Sequence, residues 1–258
     1  MASNNWTREQ LKLAFHLYCQ LPFGKLNKSN KEIIQLAELI NRTPSAVALK
    51  LVNFASLDPQ LAARGIKGMG NTSALDREIW DQFHADWEGL ATESENLRQT
   101  LMLERGIETP VDTNPLAAPD FTGETRTTLH EQRIKQNFFR KAVLSSYRGR
   151  CCMSGLSEPR LLIASHIVPW SKDKANRLNP ANGLSLCAVH DRAFDLGLMT
   201  LSDEFCVILS STLRRKDDPF IQSVLTPLEG KPVDMPDRFP PDLNFIRRHR
   251  EEVFVDAL

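Results

Sequence analysis

No run of about eighteen apolar residues occurs anywhere in this 258-residue sequence, which excludes a transmembrane helix of ordinary length. The opening MASNNWTREQ has neither the basic nor the apolar stretch of a secretory signal, so a cytoplasmic location is expected. Net charge is lacking too, since 32 Lys and Arg balance 32 Asp and Glu. Cysteine is scarce and odd in number: Cys19, Cys151, Cys152, Cys187 and Cys206 are the five. An odd set in a chain without an export signal argues against a disulfide framework. Internal repeats and low-complexity tracts are absent as well, which removes repeat architectures.

What is present is a strong charge asymmetry. Residues 92–125 hold seven acidic and two basic side chains, whereas residues 126–177 hold eleven basic and three acidic ones. A basic block beside an acidic one fits a surface that meets a polyanion; a plain solvated face would give the same bias.

The chain reads as two domains joined by a linker, and the fold class expected is α+β. Residues 1–104 read as helical. WTREQLKLAFHLYCQL places Leu11, Ala14, Phe15, Tyr18 and Cys19 at helix spacing, with Thr7 as the N-cap. NKEIIQLAELI repeats the pattern. RTPSAVALKLVNF starts a third helix with Thr43 as N-cap and Pro44 at its first position. LDREIWDQFHADW predicts a fourth. The first three resemble a helix-turn-helix whose third helix enters the major groove, and Arg42 and Lys50 would then be its nucleic-acid contacts. A plain helical bundle is the alternative.

Residues 105–125, with three prolines and two glycines, have linker composition. Residues 126–258 read as the second domain. It opens on a basic helix, RTTLHEQRIKQNFFRKAVLSSY, where Arg140 is a further candidate contact for nucleic acid. The proline-rich stretch DDPFIQSVLTPLEGKPVDMPDRFPPD reads as irregular, and LNFIRRHREEVF as a closing helix.

One segment carries chemistry: CCMSGLSEPRLLIASHIVPWSKDKANRLNPANGLSLCAVHDRAFD. An apolar strand ends in Ser165 and His166. A polar loop follows, then a second strand entered through Asn182-Gly183, which could be a simple hairpin turn. A helix then opens with His190 and Asp191. This order, with His166, Asn182 and Asp191 at these distances, resembles the HNH endonucleases of the ββα-metal fold. The resemblance covers about residues 133–210.

What the resemblance implies is metal-dependent hydrolysis of DNA. His166 would be the general base, because a neutral imidazole can take a proton from water near pH 7. Asn182 would brace the loop and orient that ring. Asp191 would hold one Mg²⁺ or Mn²⁺, with His190 as the alternative ligand. Ser165 stands where many relatives have a stronger metal ligand. Asp195 could cap the helix or join the metal site. Arg177 could clamp phosphate. Cys151-x-x-Ser154 and Cys187-x-x-His190 are similar to the remains of a structural zinc knuckle, and Cys151 and Cys187 as small buried residues are the simpler alternative.

The expected function is therefore a DNA endonuclease acting in restriction or anti-phage defence. A homodimer is expected, since one such site cuts one strand at a time. A mobile-element or phage nicking enzyme, a DNA-binding protein with a decayed site, and a nuclease gated by its helical module are the alternatives. His16, His84, His130 and His249 have no partners at informative spacing and read as structural or surface residues.

Overall fold

The computed structural model describes residues 5–65, 70–107 and 126–256, the side chains of 126–131 excepted. The stretch read as a linker lies outside the described residues except for 105–107, and so does the His130 side chain. The fold is α+β: helices with two small antiparallel sheets. The chain clusters into two compact units, Met1–Ala142 and Val143–Leu258. No helix among the described residues is long and apolar enough to cross a membrane.

The first unit is built from α1 (Arg8–Gln20), α2 (Lys31–Leu39), α3 (Pro44–Ala55), the short α4 (Pro59–Ala63), α5 (Ala74–Ala85), α6 (Trp87–Glu104) and the first part of α7 (Arg126–Ser146). The caps are those expected: Thr7 accepts from the Gln10 amide, and Thr43 from that of Ala46. Phe15 on α1 is the hub. Its ring lies 5.0 Å from Phe54, 5.4 Å from Trp80 and 4.6 Å from Phe83, centroid to centroid. These are the offset and edge-on separations that aromatic rings prefer.

Two side chains expected to be exposed cations have partners within this unit. Lys50, expected on the surface, is turned inward. It is buried, and its Nζ lies 2.9 Å from both carboxylate oxygens of Asp76, which is fully buried. The reason is tertiary: α3 is covered along most of its length, burying Val47, Ala48, Leu51, Phe54 and Ala55, and Lys50 finds its counter-ion on α5. With Lys50 withdrawn, α3 presents no cation to solvent. Arg42 is half-buried and engaged with the start of the chain and α1. It donates to the Asn5 carbonyl and to Gln10 Oε1, and its guanidinium lies 5.1 Å from the Trp6 ring centroid.

The second unit holds the remainder of α7, β1 (Leu162–His166), β2 (Gly183–Cys187), α8 (Ala188–Asp195), β3 (Met199–Leu201), β4 (Val207–Leu209), α9 (Ser211–Arg214), α10 (Pro219–Val224) and α11 (Leu243–Glu252). β1 and β2 pair antiparallel with Leu162 opposite Cys187 and His166 opposite Gly183. β3 and β4 form a second hairpin. The expected irregular stretch after it contains α10, which starts on Asp218 as N-cap with Pro219 at its first position.

α8 follows β2 without a loop and packs on both strands of that pair. Two residues beyond its end is Gly197, with φ +68°; a Cβ there would lie 2.0 Å from the Val253 carbonyl oxygen, so the turn onto β3 requires glycine. His249 of α11 locks this end. Its Nε2 donates to the Phe194 carbonyl at 3.2 Å, and Thr200 Oγ1 donates to its Nδ1 at 2.9 Å. The structural reading of His249 fits these contacts.

Candidate active site

His166 closes β1, so the strand pairing sets its direction. Beyond it the chain leaves the ladder for a loop and returns at Asn182, where Ile167 N donates to the Asn182 carbonyl at 2.9 Å. Asn182 itself is fully buried. Its Oδ1 accepts from Val168 N at 2.8 Å, and its Nδ2 donates to the carbonyls of Val168 at 3.1 Å and Asn176 at 3.3 Å. One amide thus ties both ends of the loop together. Asn182-Gly183 is therefore no hairpin turn: Pro180–Asn182 is a single 3₁₀ turn that feeds β2.

The loop in turn holds the imidazole. His166 Nε2 lies 3.0 Å from the Arg177 carbonyl. A carbonyl can only accept, so Nε2 carries the ring proton and Nδ1 holds the lone pair. The ring meets Trp170 edge-on at 5.5 Å. Burial draws the His166 pKa down to about 4, against the opposing pull of the Arg177 carbonyl. The ring is neutral at pH 7, the state a proton acceptor needs.

Arg177 is fastened within the loop. Its Nε donates to the Trp170 carbonyl at 2.9 Å and its guanidinium lies 5.1 Å from the Trp170 ring centroid. No hydrogen bond from its terminal nitrogens occurs among the described residues.

Across from β1, α8 supplies carboxylates. Burial raises the Asp191 pKa, while the Ser165 hydroxyl and Arg192 pull it back. Ser165 Oγ is buried and makes no hydrogen bond of normal geometry, yet it lies close enough to Asp191 to act on it. Asp195, one turn further along α8, is lifted to about 6, first by burial and then by repulsion from Asp191. The two aspartates stand at i, i+4 on α8, which places them on one face of the helix.

His190 faces elsewhere. It is almost wholly buried, and its Nδ1 lies 3.3 Å from Cys151 Sγ. The donor atoms of Cys151, Cys187 and His190 all fall within 4.8 Å of one another. Cys151 is held well below the ordinary thiol range by the Cys187 thiol, then by His190 and Ser154; Cys187 is raised by the same partnership. So three of the four knuckle positions converge, and Ser154 stands beside the Cys151 sulfur.

Sequence reasoning missed the residues that support the loop. Asp173 Oδ1 and Oδ2 accept from Asn176 N and Nδ2 at 3.2 and 3.1 Å, and Asn176 Oδ1 accepts from Asn179 Nδ2 at 3.1 Å. No periodic pattern marks them, because the loop's bonds are irregular.

A strand ending in His166, a loop pinned by Asn182, a second strand and a helix bearing Asp191 follow one another in ββα order. Residues 151–202 match the family model described as HNH endonuclease. The matched stretch holds both strands of the β1–β2 pair, the loop between them and α8. No curated protein matches the chain. Among solved structures, one described as "Modification dependent TagI restriction endonuclease" is similar at 19% identity over 58% of this chain, with a TM-score of 0.34. The similarity spans 46% of that chain, less than half its length.

Proposed function

We propose that this protein hydrolyses DNA phosphodiester bonds with His166 as general base. The observation that carries this reading is the imidazole anchored through Nε2 to the Arg177 carbonyl at 3.0 Å, which leaves Nδ1 as the accepting atom. Nδ1 takes the proton of a water as its oxygen attacks phosphorus. The new P–O bond forms as the bond to the leaving 3′ oxygen breaks. Rigid placement of the acceptor favours in-line attack over random encounter.

The residues fit a hard divalent cation. Asp191 and Asp195 repel each other, and the buried Ser165 hydroxyl beside Asp191 lacks a well-formed hydrogen bond. Asp191, with Ser165 next to it, would hold Mg²⁺ or Mn²⁺, ions that favour such oxygen donors. When bound, the ion supplies charge stabilisation to the phosphate and the leaving oxygen. Asn182 positions the loop, and Arg177 contacts a neighbouring phosphate with its terminal nitrogens. Arg140, on the basic helix α7, is assigned a phosphate contact as well.

Cys151, Cys187 and His190 would hold a structural Zn²⁺, because two thiols and an imidazole converge as soft and borderline donors do in such sites. The pairing of a separate helical unit with a nuclease unit supports a role in restriction or anti-phage defence in the cytoplasm. One such centre cuts one strand at a time, so a double-strand break calls for a homodimer or two sequential visits.

The test is cleavage of methylated and unmethylated plasmid by wild type and His166→Ala, with Mg²⁺ or Mn²⁺. Wild type nicks or cuts and His166→Ala does not. Equal cutting by both, or no cutting by either with any divalent metal, overturns the reading.

A further inference from the structure

The loop that holds His166 is itself held from outside, by the last helix. Arg248 of α11 lies between the loop and Glu252 one turn along its own helix. Its Nη1 reaches Asp173 Oδ2 at 3.4 Å, its Nη2 faces the Lys172 carbonyl at 3.5 Å, and its Nε donates to Glu252 Oε1 at 2.7 Å. Lys172 closes the ring by donating to Glu252 Oε2 at 3.1 Å. Two loop residues and two helix residues of alternating charge thus form one closed circuit.

This circuit is continuous with the base. Asp173 accepts from Asn176 N and Nδ2 at 3.2 and 3.1 Å. The Asn176 carbonyl accepts from Asn182 Nδ2 at 3.3 Å. Arg177, the next residue, presents its carbonyl to His166 at 3.0 Å. From Arg248 to the imidazole every step is a contact of named groups. The Asp173 side chain is also the most buried of the four, at 16% exposed, so it has the least freedom to find water instead.

We propose that the Arg248–Asp173 and Lys172–Glu252 pairs form a clasp that positions the loop carrying Arg177, and through it the His166 imidazole. Arg248, Glu252, Lys172 and Asp173 are positioning residues; none touches the reacting atoms. The proposal rests on His166 being the general base. Partly exposed ion pairs contribute little to global stability one by one. Their effect here is geometric: they keep the Arg177 carbonyl from drifting, and small misplacements of a catalytic group reduce rate steeply.

The experiment is steady-state cleavage of a defined duplex by the full chain with Mn²⁺. The variants are Arg248→Ala, Asp173→Asn and the two combined, with Arg248→Lys and His166→Ala alongside and the melting temperature of each recorded. Arg248→Ala removes a positive charge and Asp173→Asn a negative one. A positioning role lowers kcat for both, by about tenfold, at unchanged KM. The double variant then loses no more than the worse single one, since both break the same circuit. Arg248→Lys, which keeps the charge but not the fork, falls between wild type and Arg248→Ala.

Opposite shifts of KM with kcat unchanged would make Arg248 a DNA contact and overturn the proposal. Unchanged kinetics in both singles also overturn it, as does a loss that tracks the fall in melting temperature and vanishes at lower assay temperature. An inactive His166→Ala beside fully active clasp variants rejects the clasp and leaves the general base standing. A fully active His166→Ala rejects both.

Discussion

His166 and Arg177 are joined by one hydrogen bond, from the ring Nε2 to the main-chain carbonyl at 3.0 Å. Eleven residues separate them in the chain, and the bond exists because the loop between them folds back on itself. The ring's tautomer therefore depends on the loop's shape, and the loop's shape depends on Asn182.

That dependence makes Asn182→Ala a strong perturbation. The substitution removes three hydrogen bonds at a fully buried position and leaves the Val168 amide and carbonyl unsatisfied. A loss of about 3 kcal/mol in stability is expected. Cleavage should fall even at temperatures where circular dichroism shows the variant folded. A folded Asn182→Ala with the wild-type rate would separate the loop from catalysis.

Asp191→Asn and Cys187→Ser should fail in different ways. Asp191→Asn lowers metal-dependent cleavage by about 100-fold and leaves the melting curve close to wild type. Cys187→Ser lowers the melting temperature and the zinc content measured by atomic emission, and keeps most of the rate well below its midpoint. The reverse order of effects would make the Cys151, Cys187 and His190 cluster the working metal centre.

Lys50→Met separates a buried ion pair from a DNA contact. Leaving Asp76 buried without its partner should destabilise the protein by about 3–5 kcal/mol in urea unfolding. DNA affinity, measured on folded protein at moderate salt, should not change. Weaker binding without loss of stability would restore Lys50 as a nucleic-acid contact.

Stability should decline between pH 6.5 and 4 because of buried histidines in both units. Burial lowers His16 and His249 from the usual 6.5 to about 4. In that window the unfolded chain binds the proton and the folded one does not, so lowering the pH favours unfolding. The slope is about 1.4 kcal/mol per pH unit for each histidine, and the full contribution is present above pH 6.5. Asp203, lowered to about 2 by Arg247 and Arg250, loses its contribution only at lower pH, below the ordinary carboxylate value. Urea midpoints at pH 7.0, 5.5 and 4.5 measure the trend, and His249→Asn should reduce it by about half for the second unit, where His166, also lowered to about 4, carries the other share.

Much of the fold was legible because its causes are local. Apolar spacing and the Thr7 and Thr43 caps placed α1 and α3, since a helix start needs an oxygen acceptor within three residues. The segment from Ser165 to Asp191 was legible as a pattern, because its strand, loop and helix follow one another without interruption. The β3–β4 hairpin went unread, as three-residue strands carry too little alternation to register.

The sequence by itself determined which side chains stand at the end of β1, at the loop's return and at the start of α8, since these follow from order along the chain. Only the tertiary structure decided where each one faces. Adjacent helical residues point about 100° apart, so His190 turned to Cys151 and Cys187 while Asp191 met Ser165. Lys50 read as a surface cation until the packing of α3 against α5 closed it onto Asp76, twenty-six residues away. Burial and long-range ion pairing depend on which faces meet, and a one-dimensional spacing does not contain that information.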